Sequence, residues 1–69
     1  MRRDPVASSN IVSVGYEPSS ETLEIEFASG GVYQYYNVPS PIYDELLAAS
    51  SKGRFFVAQI KDRFPYARV

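Results

Sequence analysis

The chain has 69 residues, a formal net charge of −1, no cysteine and no histidine, and 14% of it is aromatic. That composition leaves no room for a second core, no disulfide framework and no histidine- or cysteine-ligated zinc site, and it argues against a wholly basic nucleic-acid binder. A domain of this size buries only about 60% of its unfolded surface, so its four Phe and six Tyr, or a partner subunit, must supply the core.

No stretch approaches the roughly 20 apolar residues that span a bilayer, and no apolar run follows Arg2 and Arg3 to make a signal peptide. A cysteine-free chain fits a reducing compartment, so the expectation is a soluble cytoplasmic domain with no membrane partner. Charge is unevenly placed. Residues 17–45 hold six acids and no base, whereas residues 50–69 hold Lys52, Arg54, Lys61, Arg63 and Arg68 against one acid, Asp62. A chain so divided can present a basic face. The plainer reading is that the two halves complement each other, within one molecule or between two, and on composition alone it leads.

In chain order, residues 1–8 show no period and read as a flexible arm. Residues 9–69 form the single domain. Residues 10–16 alternate, with Val12, Val14 and Tyr16 on one side and Ile11, Ser13 and Gly15 on the other, which predicts a strand. Gly15 marks either a bulge or a close backbone approach. Residues 17–21 carry turn chemistry around Pro18. Residues 22–27 alternate most cleanly, with Leu23, Ile25 and Phe27 toward a core and Glu24 and Glu26 away from it. A catalytic or metal-binding pair of glutamates is the sharper reading there. A solvated strand face explains them better, since no histidine or Asp-rich loop completes a site.

Gly30 and Gly31 suit a hairpin tip, and residues 32–36 form a third strand. Loop length sets its faces. An even loop puts Val32, Gln34 and Tyr36 on the core side, whereas a three-residue loop with a glycine bulge puts Tyr33 and Tyr35 there. Burying Gln34 strands amide groups, while a buried Tyr ring can still send its hydroxyl outward, so the second register is favoured. Ser40 and Pro41 read as cap and first turn of a helix reaching about residue 50, with an apolar stripe of Ile42, Tyr43, Leu46, Leu47 and Ala49. Gly53 reads as that helix's terminator or a flexible corner. Residues 54–61 form a second short helix, and 63–69 an extended segment packed along the domain. The fold class is therefore α+β, a three-stranded antiparallel meander followed by two short helices on one face.

Taken together, several motifs carry a family resemblance: Ser8-Ser9-Asn10, Val14-Gly15-Tyr16, Leu23–Phe27, Ser29-Gly30-Gly31-Val32-Tyr33-Gln34-Tyr35, Val38-Pro39 and Ser51-Lys52-Gly53, followed by residues 60–69. In this order they resemble the KTSC domain, named for the C-terminus of some lysyl-tRNA synthetases and found also as stand-alone bacterial proteins. The resemblance covers about residues 8–69. It implies RNA binding, through association with a tRNA ligase.

Function divides into three classes. For an enzyme there is no histidine, no cysteine, no phosphate loop and no acidic metal cluster. Ser50 and Ser51 beside Lys52 form a dyad only with a geometry that sequence does not supply, so no catalytic residue, metal or cofactor is expected. RNA binding draws on Lys52, Arg54, Lys61, Arg63 and Arg68 interleaved with aromatics, on Tyr66 as the ring best placed for stacking, and on Tyr33 and Tyr35. Should RNA bind, the five cations are expected to share one face. The alternative is a protein-interaction or self-association module using a sheet edge or an open sheet face. The basic C-terminus ranks RNA first.

Overall fold

The structure is a computed structural model describing residues 1–69. Alternation and turn chemistry build a five-stranded antiparallel sheet in simple sequential order. Its strands are β1 (Asp4–Pro5), β2 (Ile11–Glu17), β3 (Thr22–Phe27), β4 (Val32–Tyr35) and β5 (Tyr66–Arg68). Helices α1 (Ser40–Ala48) and α2 (Lys52–Gln59) fall between β4 and β5. The fold class holds, with two strands more than the expected three. The extended C-terminal segment is β5, which pairs with β4. Residues 1–8, expected to be a flexible arm, contain β1, with Asp4 opposite Val14 and Pro5 opposite Ser13.

The β3–β4 hairpin has the odd loop. Phe27 N–H donates to Gly31 O at 2.8 Å, leaving Ala28, Ser29 and Gly30 as the loop, with Gly30 at φ 107°. Only glycine takes that conformation without strain. Leu23 therefore faces Tyr35 and Ile25 faces Tyr33, while Glu24 faces Gln34. The tyrosines lie on the helix-covered side, and Gln34 Nε2 donates to Glu24 Oε1 at 2.9 Å on the other.

The first long strand departs from strict alternation. A register shift between Ile11 and Ser13 makes Val12 the extra residue of a bulge. Ile11 and Val14 thereby share the core face, at 1% and 0% exposure, while Val12 is turned out at 43%. The expected pairing of Val12 with Val14 on one face is corrected by that one inserted residue.

The core joins Ile11, Val14, Leu23, Ile25, Tyr35 and Val38 to Leu46, Phe56 and Ile60 from the helical part. Phe27 and Ile42, expected in this core, pack against it half-buried. Aromatic pairs fasten the layers. Tyr16 stacks on Tyr43 at 4.9 Å, and Phe56 meets Phe27 and Tyr35 edge-on at 5.1 and 5.4 Å. Such pairs add about 0.5–1.5 kcal/mol beyond their buried area.

Both helix starts differ from expectation. Pro39, not Ser40, is the cap of α1, with no side-chain cap bond. Ser51 caps α2, its Oγ accepting from Arg54 N–H at 3.3 Å. Gly53 thus lies in the first turn of α2 rather than ending α1. Its missing side chain is explained by Asn10, whose Nδ2 would stand 2.9 Å from a Cβ at that position.

Candidate nucleic-acid interface

On its back, the sheet carries Ser13, Gly15, Glu24 and Gln34 in facing register. Gly15 is where the N-terminal segment crosses, because a Cβ there would run into the Arg2 carbonyl. Of the two readings of Gly15, close backbone approach is the one realised. Arg3 is thereby laid over the sheet. Its guanidinium pairs with Glu24, lies 3.8 Å from Glu26 and donates to Ser13 Oγ at 3.0 Å. Burial alone would raise the Glu24 carboxyl, but hydrogen bonds from Gln34 and Arg3, with the Arg3 charge, carry it below its ordinary value. The two glutamates are the polar side of a strand, and a cation of the same chain is spent on them.

The opposite side opens differently at the β4–β5 edge. There a cleft of about 220 Å³ is lined by Tyr33, Tyr35, Tyr66, Phe27 and Phe56, with Lys61 and Asp62 at its margin. Cross-strand pairing of Tyr35 with Tyr66 and of Tyr33 with Arg68 sets three phenol rings side by side. Tyr66 lies 5.5 Å from Tyr35 and 6.0 Å from Tyr33, and is 60% exposed. The Arg68 guanidinium stands 5.9 Å from the centre of the Tyr33 ring, within cation–π range.

Tyr16 and Tyr36 spend their hydroxyls inside the protein, on Val38 O and Gln34 Oε1. The Tyr35 hydroxyl has no protein partner, although the residue is only 5% exposed. Since no fully buried side-chain oxygen is left unsatisfied, that hydroxyl is not fully enclosed, and Tyr35 lines the cleft. Burial first, then Tyr66, Tyr33 and Asp62, push its ionisation up to about 12. It remains a hydrogen-bond donor across any ordinary pH.

The ion pairs of the molecule all use Arg2 or Arg3. Lys52, Arg54, Lys61, Arg63 and Arg68 therefore have no carboxylate within salt-bridge distance, and the acidic and basic halves form no ion pairs with each other inside the molecule. They do not share one cleft either. Lys61 and Arg68 border the aromatic cleft. Lys52 lines a polar notch with Ser8, Asn10 and Ser51, and its Nζ donates to Ala49 O at 3.1 Å. Arg54 lines an adjoining groove with Val57 and Ala58. Neither the notch nor the groove shares a lining residue with the cleft. Arg63 is exposed and lines none of the three.

Sequence reasoning thus names Tyr33, Tyr35, Lys61, Tyr66 and Arg68, which the fold assembles, and counts Phe56 only among the aromatics interleaved with the cations, but it does not name Phe27 or Asp62. The two phenylalanines are indistinguishable from core by pattern. Asp62 does carry a signal, as the one acid after Glu45. The structure holds no cluster of three His, Cys, Asp or Glu suited to a metal, and no helix long and apolar enough to cross a membrane.

The same fold and motifs recur in known proteins. A protein of Tsukamurella paurometabola is 47% identical over 60 residues, 87% of this chain and 90% of that one. A lysine–tRNA ligase of Nostoc sp. is 44% identical over 54 residues, which cover 78% of this chain but only 10% of the ligase. The crystal structure of a KTSC domain protein from Yersinia pestis superimposes with a TM-score of 0.97 at 44% identity, covering 99% of this chain and 96% of that one. With residues 7–64 matching the KTSC domain itself, the chain belongs to the KTSC domain family.

Proposed function

We propose that the protein is a non-catalytic, cytoplasmic module that binds single-stranded RNA across the β4–β5 edge. The observation carrying this reading is the aromatic cleft bordered by two cations, neither of which makes an ion pair within the protein. Single-stranded RNA needs both parts, rings on which a splayed base can stack and cations for the phosphates beside it. Tyr66 offers an exposed ring, and Lys61 and Arg68 stand near it. Kinship with a segment of lysine–tRNA ligases, which by name act on a tRNA, lends support.

Self-association through an open sheet face fits less well. The back face is polar and crossed by the arm that carries Arg3. The outer strands are short, β1 with two residues including Pro5 and β5 with three including Arg68, and such edges resist strand addition.

The test is binding of short single-stranded RNAs by the parent, Tyr66→Ala and the double variant Lys61→Gln/Arg68→Gln, across a salt series. Removing Tyr66 is expected to cost about 1–3 kcal/mol of stacking. The double variant is expected to weaken all sequences alike and flatten the salt slope by about 0.7 for each phosphate it no longer neutralises. Affinities and slopes matching the parent in both variants would remove the cleft from RNA binding.

A further inference from the structure

We propose that the aromatic cleft is a single-base pocket selective for guanine, with Asp62 and the Tyr35 hydroxyl reading the base edge. This rests on the RNA reading of the same cleft and adds the base to it. At about 220 Å³ the space falls below the roughly 300–1,000 Å³ of small-molecule sites. It suits one planar ring system with its ribose and phosphates left outside.

The polar groups then decide which base. Tyr35 is almost wholly buried yet lines the cleft, and its hydroxyl has no protein partner and is not fully enclosed. It remains protonated, so it can donate a hydrogen bond. Asp62 lines the same cleft and makes no ion pair, which leaves two carboxylate oxygens as acceptors. A donor followed by two acceptors is the pattern that cytosine presents to guanine. Guanine answers with O6 as acceptor and with N1–H and N2–H₂ as donors. Adenine offers one donor beside an acceptor, uracil a donor between two acceptors, and cytosine one donor beside two acceptors. None of these brings two adjacent donors to the two carboxylate oxygens, as guanine does with N1–H and N2–H₂. An aromatic cage for a quaternary ammonium would use the same rings, but Arg68 already occupies a cation–π position on Tyr33, and Lys61 adds a second positive charge.

The experiment compares four heptamers, each with a single A, C, G or U in the centre of a uridine strand, by fluorescence anisotropy. The parent, Asp62→Asn and Tyr35→Phe are measured, and circular dichroism confirms that each is folded. The parent is expected to favour the guanine strand about tenfold over the adenine strand, as a good two-bond contact does. Asp62→Asn should abolish that ratio while leaving the other three strands bound, and Tyr35→Phe should reduce it. Inosine, which lacks the N2 amine, should fall between guanine and adenine. Equal affinity of the parent for all four strands would overturn the guanine pocket and leave RNA binding standing, as would a preference that survives Asp62→Asn. Failure of every strand to bind would sink both readings, and selective binding of a trimethyl-lysine peptide would replace them with the ammonium cage.

Discussion

The two sides of the sheet use positive charge in opposite ways. On the back, Arg3 is satisfied by Glu24, Glu26 and Ser13, and with Gln34 the group forms a closed network. At the β4–β5 edge, Lys61 and Arg68 border aromatic rings and make no ion pair, although Asp62 lines the same cleft. A domain this small has little core to spare, so a cation that is matched is holding the chain together. One left unmatched, against an apolar cleft, is available to something outside. The C-terminal cations make no ion pair with the glutamates of residues 17–26.

That contrast between the two sides collapses first if the helices do not close the front of the sheet. Leu46 is fully buried in the last turn of α1, and Leu46→Ala is expected to cost about 2–5 kcal/mol of a total near 5–15. Thermal unfolding checks this, and an unchanged melting temperature would remove α1 from the core. On the back, a smaller loss is expected. Gly15→Ala puts a methyl into the Arg2 carbonyl and should cost about 1–3 kcal/mol as the arm is forced off. Arg3→Ala should cost about 1–3 kcal/mol too, because it leaves the buried Glu24 with only Gln34. These two changes act on the same stretch of the arm, so the double variant should lose less than their sum. Full additivity in urea unfolding would mean that Gly15 and Arg3 act independently.

How much of this is legible in the sequence depends on which interactions are local. The β3–β4 register is readable because Leu23, Ile25 and Phe27 alternate strictly and a buried Gln34 is costly. Both constraints lie within 15 residues of each other. The bulge at Val12 is not, since Ile11 and Val12 are equally apolar and only pairing with Phe27 and Glu26 separates them. Strand β1 hides behind Pro5, which argues against a strand unless its partner is known. Gly53 misleads because its reason, Asn10, is 43 positions away in the chain, whereas a glycine after a helix has a ready local meaning. The cleft is half visible. Its tyrosines and cations stand out by type, but Phe27 and Phe56 look like core and Asp62 like an exception in a basic tail.

Acid should act on the back of the sheet. The Glu24 carboxyl is lowered in the fold, so the unfolded chain takes up that proton first. Its contribution is therefore complete above the unfolded value, near 4.3, and is lost as pH falls through the lower folded value. Glu17 is lowered as well, by its bonds from Ser19, but on an exposed turn. Urea unfolding from pH 7 to 3 is expected to show the parent losing more stability than Glu24→Gln over the acid limb. Parallel curves would mean that the network carries no pH-dependent share of stability.

The smallest effects are expected from the two cations that lie away from the cleft. Lys52 and Arg54 line the notch and groove around Asn10 and Ser51, separate from the aromatic rings. If an RNA strand follows the β4–β5 edge, its phosphates lie beside Lys61 and Arg68, and a charge elsewhere acts only through solvent. Screening at physiological salt reduces such action beyond about 8 Å. Lys52→Gln/Arg54→Gln should therefore leave stability within about 0.5 kcal/mol of the parent. It should also change RNA affinity and salt slope less than Lys61→Gln/Arg68→Gln does. The one structural bond at stake runs from Lys52 Nζ to Ala49 O, and a glutamine amide can also make it. Binding that depends on the two pairs equally would show the strand running from the β4–β5 edge onto the start of α2, and the interface would then extend well beyond the cleft.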